Sequence, residues 1–205
     1  MGQLGGNSYD WVGKQAANMA MTRWIYRRFG TITDTEGLAR QSHYYADEFI
    51  RPDHVPAKWL AMKPKKFVKW LHKHGVYEGD PEHYGQMEHW ECPAEFIVAQ
   101  LKGDCDAFAI AVASHFIASG FSVEDIRLCL GKRFKENETD FADPINHVWA
   151  LVYDYPEAGR ITLADATPPL KGLLAWPQFQ QAEKTWGYKP HISFTKDGSY
   201  WEHFR

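Results

Sequence analysis

Lys102-Gly103-Asp104-Cys105-Asp106-Ala107-Phe108-Ala109-Ile110 decides what kind of chain this is. A thiol stands between two carboxylates, just behind a glycine, and an almost unbroken apolar run follows. Phe108, Ala109, Ile110, Val112, Ala113, Phe116 and Ile117 occupy nearly every side of a helical wheel. A helix that is apolar all round is a buried one. Gly120 is its natural stop. Cys105 therefore stands at the N-terminus of a central helix. Unsatisfied N–H groups and the helix dipole favour a thiolate there, against the two acidic neighbours. Asp104 and Asp106 are expected to be exposed and to supply capping oxygens.

The flanking segments sort by period. Upstream, residues 9–28, 36–50, 56–74 and 93–101 read as helices. Pro64 should break or kink the third, which carries Trp59, Leu60, Phe67, Trp70 and Leu71 at helical spacings. Pro93 suits the first turn of the fourth. Downstream, the period changes to alternation. Ile126, Leu128 and Leu130 share one face of a strand and Cys129 lies on the other. Residues 137–144 read as a polar loop. Residues 147–153 and 161–165 read as strands joined by a turn that holds Pro156 and Gly159. Asp197-Gly198 marks a second hairpin between residues 192–196 and 199–203.

The first hairpin can be given a register. Opposed residues in an antiparallel pair have a constant sum. A turn centred on Pro156 makes that sum 312, which sets Leu151 against Ile161, Trp149 against Leu163 and His147 against Asp165. Side chains recur on one face every second residue, so all six share a face. A slip of one residue would turn them to the other.

Cys105, His147 and Asp165 then form a chemical set. The thiolate is the nucleophile. The imidazole takes its proton and later protonates the leaving group. The carboxylate fixes the imidazole's tautomer and orientation. An oxyanion hole would use the Cys105 main-chain N–H, with Gln100 as the second donor or Trp90 in its place. Cys92 and Cys129 are read as structural. His83, His89 and Cys92 match no zinc spacing, so neither a metal nor a cofactor is expected.

Gly103-Asp104-Cys105-Asp106 with Phe108-Ala109, then His147, then Leu163-Ala164-Asp165, resembles the transglutaminase-like superfamily. The nearest pattern is that of bacterial transglutaminase-like cysteine proteinases. Their Trp-x-x-Pro-x-Glu stretch is matched by Trp90-Glu91-Cys92-Pro93-Ala94-Glu95. The resemblance runs from Trp90 to about Pro169. It implies an α+β, papain-like fold in which the Cys helix packs on an antiparallel sheet bearing the His and Asp. It implies thiol acyl chemistry: cleavage of a peptide or amide in a protein or peptide substrate. Transfer of a glutamine acyl group to an amine is the alternative, and a catalytically idle binding or structural domain is another. The family usually has a second acid after the nucleophile, where this chain has Ala107. In calcium-dependent, adhesin-cleaving members those acids bind calcium, so calcium is not expected here.

The bulk properties fit. The chain has 205 residues, room for one such domain with a real core. That domain divides into a mainly helical part (1–89), a catalytic core (90–169) and an extension with a hairpin (170–205). Net charge is −3, which gives no basic footprint for nucleic acid. Lys63, Lys65, Lys66, Lys69 and Lys73 read as a solvated helix face. Three cysteines without a CxxC pair argue for a reducing compartment. Neither a secretory signal nor a membrane span is apparent, so a cytoplasmic location is expected. The oligomeric state is not fixed by any of these features.

Overall fold

The computed structural model describes residues 46–84, 90–133, 147–168 and 187–203. The expected helix at 9–28, most of that at 36–50 and the loop at 137–144 lie outside the described residues. Helices α1 (Ala46–Phe49), α2 (Ala57–Leu60) and α3 (Pro64–His74) lead into a two-residue strand β1 (Val76–Tyr77) and α4 (Asp80–Tyr84). Helix α5 (Pro93–Val98) and strand β2 (Lys102–Gly103) precede α6 (Cys105–Ala118), which begins at the thiol. Strands β3 (Ile126–Arg133), β4 (His147–Tyr153), β5 (Ile161–Ala164), β6 (Tyr188–Phe194) and β7 (Tyr200–Glu202) follow.

Pro64 separates α2 from α3 as expected. It takes the first helical position, and Lys63 before it is extended (ψ 147°). Phe67, Val68 and Leu71 form the buried face of α3, and the lysines of its opposite face are exposed. Leu60 departs from the helical-stripe expectation: α2 ends there, and the side chain is 42% exposed.

Helix α6 is the centre of the core, with every residue from Asp106 to Phe116 buried. Trp59, Phe67, Leu71 and Phe96 cover it on one side. Leu128, Leu130, Val148, Ala150, Val152 and Phe194 of the sheet belong to the same cluster. Such aromatic anchors are worth about 3–5 kcal/mol each against truncation to alanine. The chain must also pass very close to α6: a Cβ on Gly75 would lie 2.2 Å from Phe108 Cε1.

The sheet runs β5-β4-β3-β6-β7, antiparallel throughout. Its second face is also buried. Cys129, Trp149, Leu151, Leu163 and Tyr188 form a second cluster there, so Cys129 is not on a polar face. The β4–β5 register corrects the expected one. Leu151 faces Leu163 and Val152 faces Thr162, a sum of 314. The connection is longer than a turn centred on Pro156. Asp154 Oδ1 accepts from Gly159 N at 2.6 Å, and the main-chain N–H of Arg160 donates to Glu157 O at 3.3 Å. Both bonds centre the loop near Glu157. Because the sum changes by an even number, the expected face survives. Trp149, Leu151 and Leu163 do share it.

A bulge interrupts β3–β6. Leu130 pairs with Ile192, but Gly131 pairs with Pro190. A proline has no ladder N–H to give, so a bulge is a natural place for it. A Cβ on Gly131 would come within 2.2 Å of Lys189 O and 2.6 Å of Trp149 Cη2, so only glycine fits the crossing.

Candidate active site at the head of the thiol helix

Asp104 caps α6: its Oδ1 accepts from the main-chain N–H of Asp106 at 3.1 Å. Burial pushes the Asp104 carboxyl up to about 6, and the nearby charge of His147 offsets part of that rise. Asp106 corrects the sequence expectation. It does not cap the helix and it is not exposed. It is 1% exposed, and neither carboxylate oxygen has a hydrogen-bond partner among the described residues. Its side chain enters the packed side of the first turn, which leaves Asp104 as the capping acid.

Gly103 is required by the same crowding. A Cβ there would meet Ala107 Cβ at 2.7 Å and Glu91 Oε1 at 2.9 Å. The small residue at Ala107 and the glycine at Gly103 thus fit each other, four positions apart. Glu91 is fully buried beside them.

Strand β4 begins at His147, whose ring stacks near Trp149 (5.9 Å between centroids) and meets Tyr188 edge-on (5.9 Å). His147 Nε2 lies 2.7 Å from Asp165 Oδ2. Tyr188 donates its O–H to the same oxygen at 2.7 Å, and Thr167 N–H donates to Oδ1 at 2.9 Å. Asp165 is therefore a buried carboxylate with three donors, not a solvent-facing strand end. Burial alone would push its carboxyl up. The His147 charge, together with the bonds from His147, Thr167 and Tyr188, holds it below the usual range. Burial and the Asp165 charge push the Tyr188 phenol far up, so Tyr188 remains a donor. An ionised carboxylate has no proton to give. The bond to His147 must be Nε2–H to oxygen, which in the neutral ring fixes the tautomer with Nδ1 unprotonated.

The two halves of the site approach each other. Helix α6 packs on β4. The charge of His147 acts on Asp104, and that of Cys105 acts on Tyr188. Cys105 is in no disulfide and is partly exposed. Cys129 is free but fully buried, and burial pushes its thiol well up.

Cys92 has a neighbour that no spacing announced. His54 Nδ1 lies 3.3 Å from its sulfur. Burial nonetheless raises the Cys92 thiol. His83 is paired with Glu78 at 3.1 Å, and His89 lies outside the described residues. Gln100 is exposed on the turn after α5, with φ 59°. The ring of Trp90 packs against Phe49 and Phe194, at 4.9 and 6.2 Å between centroids.

Tyr188, one of the C-terminal aromatics that could line a substrate groove, instead bonds Asp165, and no spacing in the sequence announces its role or that of Thr167 there. Alternation from Tyr188 to Phe194 could have extended the strand back to Tyr188, but not its pairing with Asp165. A cavity of about 820 Å³ lies beyond the far end of α6, lined by Asp47, Ser122–Glu124 and Lys196–Ser199. None of Cys105, His147 and Asp165 lines it. Calcium prefers six to eight oxygen ligands. Asp104 is used as a cap, Ala107 offers no side-chain oxygen, and no group of three or more His, Cys, Asp or Glu converges among the described residues. The residues present do not fit that ion.

A thiol-bearing central helix on an antiparallel sheet is the transglutaminase-like α+β fold. The chain is similar to solved structures of Legionella pneumophila LapG. The EGTA-treated form matches with TM-score 0.51 and 19% identity, over 88% of this chain and 84% of that one. The calcium-bound form matches with TM-score 0.51 and 22% identity, over 84% and 88%. The likeness is one of fold. No family model matches the chain, and no curated protein matches it. No helix among the described residues is long and apolar enough to cross a membrane.

Proposed function

We propose that this chain is a cysteine-dependent protease or amidase acting on a protein or peptide, with Cys105, His147 and Asp165 as its triad. One observation carries this reading: a buried, triply bonded Asp165 that fixes neutral His147 with Nδ1 unprotonated, at the sheet end that meets the head of the thiol helix. The fold shared with LapG, a cysteine peptidase of the transglutaminase-like family, supports it.

His147 Nδ1 accepts the Cys105 proton, and the thiolate attacks the substrate carbonyl carbon. The tetrahedral intermediate collapses with cleavage of the C–N bond. The amine leaves with the proton from the imidazolium, and a thioester remains on Cys105. Water then gives a proton to Nδ1 and attacks the thioester. The acid departs, and the proton returns to sulfur. Asp165 keeps its charge throughout and stabilises the imidazolium. Cys105 N–H, with Gln100 or Trp90, would hold the oxyanion.

The test is a casein peptide pool incubated with the wild-type chain and with Cys105→Ala, read by mass spectrometry. New carboxyl termini formed only by the wild type are expected. A dansylcadaverine arm separates acyl transfer from hydrolysis, and no incorporation is expected. Equal product formation by Cys105→Ala would remove Cys105 from the mechanism.

A further inference from the structure

Strand β1 lies beside the candidate nucleophile and has an open edge. It pairs in parallel with β2: Val76 opposite Lys102, Tyr77 opposite Gly103. Val76 N–H donates to Leu101 O at 2.9 Å and Glu78 N–H to Gly103 O at 3.0 Å. These bonds turn the main chain of Val76 and Glu78 toward β2. Alternation turns the N–H and C=O of Tyr77 the other way, where they have no partner among the described residues. Tyr77 thus faces outward on the strand partnered by Gly103, two residues before Cys105.

Its side chain is also free to meet a ligand. Tyr77 is 51% exposed and Val76 50%. Val98, at the end of α5, is 82% exposed. Three of the four large apolar side chains exposed among the described residues therefore flank the segment leading to the thiol. Burial pushes the Tyr77 phenol up to about 12, and the charges of Cys105 and Asp104 add to the rise.

We propose that Tyr77 is a substrate-positioning residue: its outward main-chain N–H and C=O pair with an extended peptide substrate, and its ring forms a wall beside Cys105. The inference rests on the proposed peptidase reading and deepens it by naming the form in which substrate is held. An extended peptide suits this edge because it presents both a main-chain donor and an acceptor at the spacing of a strand. Such an edge gives sequence-tolerant affinity, and the exposed ring and valines add a preference for apolar side chains.

The test compares two electrophiles with the same warhead. Chloroacetone has no peptide part. A pool of acetyl-tripeptide chloromethyl ketones has one. Alkylation of Cys105 is followed by mass spectrometry. In the wild type the peptide part should speed alkylation by about tenfold or more, the value of one or two net hydrogen bonds. Replacing the probe's pairing amide by an ester should remove about threefold or more of that gain. Tyr77→Ala keeps the main-chain pairing and removes the wall, so it should lower the peptidyl rate by about threefold or more and leave chloroacetone within about twofold. Tyr77→Phe should keep both rates. Absence of a peptide advantage, indifference to the ester, or parallel loss of the chloroacetone rate in Tyr77→Ala would each overturn the proposal. If chloroacetone fails to prefer Cys105 over Cys92 in the wild type, it is the peptidase reading that fails. The ester arm leaves the protein unchanged, so misfolding of a variant cannot mask the result.

Discussion

Two regions of this molecule combine a helix-starting cysteine, a histidine and an aspartate. Around Cys92, the imidazole of His54 is only 3.3 Å from the sulfur. Its aspartate, however, is 61% exposed and turned away. Arg51 holds Asp53 by two bonds, at 2.9 and 2.6 Å, and keeps its carboxyl at about 2. His54 Nε2 is left 3.9 Å from Asp53. Glu95 accepts from the Cys92 N–H at 2.9 Å, completing a capping box. Around Cys105, the aspartate is buried; two of its donors, His147 and Tyr188, come from strands that the fold brings together, and the third is the main-chain N–H of Thr167, two residues on. An imidazole beside a sulfur therefore does not by itself give a histidine held by a buried carboxylate. The difference is the carboxylate: Asp165 is buried and bonded to its histidine alongside Tyr188 and Thr167, whereas Asp53 is exposed and held by Arg51. Cys92 serves a helix cap, and Cys105 is the nucleophile of the proposed triad.

The largest expected effect breaks or keeps that comparison directly. At neutral pH, iodoacetamide should modify Cys105 about 100-fold faster than Cys92 or Cys129, as seen by peptide mass spectrometry. Burial raises the thiols of both slower cysteines. Equal rates in a folded sample would erase the distinction.

The next effect probes the two aspartates. Asp165→Asn should slow Cys105 alkylation by about tenfold or more, because an amide permits the wrong tautomer. His147→Ala should slow it at least as far, and the double variant should be little worse, since members of one unit are non-additive. Asp53→Asn should leave Cys92 within about twofold. Because Asp165 is buried and triply bonded, Asp165→Asn should also cost about 1–3 kcal/mol of stability by thermal melting. Fully additive losses in the cycle would require the triad to be abandoned.

A smaller effect concerns Asp104. Its folded carboxyl is raised from 3.8 to about 6. The folded state thus binds this proton more tightly than the unfolded chain does. The favourable contribution is present below pH ~4 and is lost as pH rises through ~6. Asp104→Asn keeps a capping oxygen and removes the charge. It should flatten the stability profile between pH 4 and 6, gain roughly 1–3 kcal/mol at pH 7, and move the midpoint of Cys105 alkylation downward. Cys92 should not respond. An unchanged midpoint would show that Asp104 does not act on the thiol.

The smallest expected effect is none. Millimolar calcium should leave the melting temperature unchanged, because Ala107 gives no side-chain ligand and the converging donors are too few. A clear rise, reversed by EGTA, would assign the unpartnered Asp106 carboxylate to a cation.

Much of the site was legible because it depends on local pattern. The helix from Cys105, the break at Pro64, the strand from His147 to Tyr153 and the face shared by Trp149, Leu151 and Leu163 all follow from periods of 3.6 or 2 residues. The burial of Asp106 was not legible. It depends on which side of the first turn meets other elements, and the flanking acids look equivalent in the sequence.

The sequence by itself determined which side chains could do the chemistry: a thiol at a helix start, an imidazole opening a strand, and a carboxylate at the end of the next strand. The tertiary structure alone decided how they are held. The β4–β5 loop moved the pairing by two residues, so His147 and Asp165 meet diagonally. The bulge beside Gly131 did more. Tyr188 has the same parity as Ile192 and Phe194, so an unbroken strand would turn it toward α6. The single extra residue turns it to the opposite face, onto Asp165. Periodicity specifies faces within an unbroken element. It cannot specify where a ladder slips, because a slip depends on the partner strand's backbone and on the space that Gly131 leaves for it.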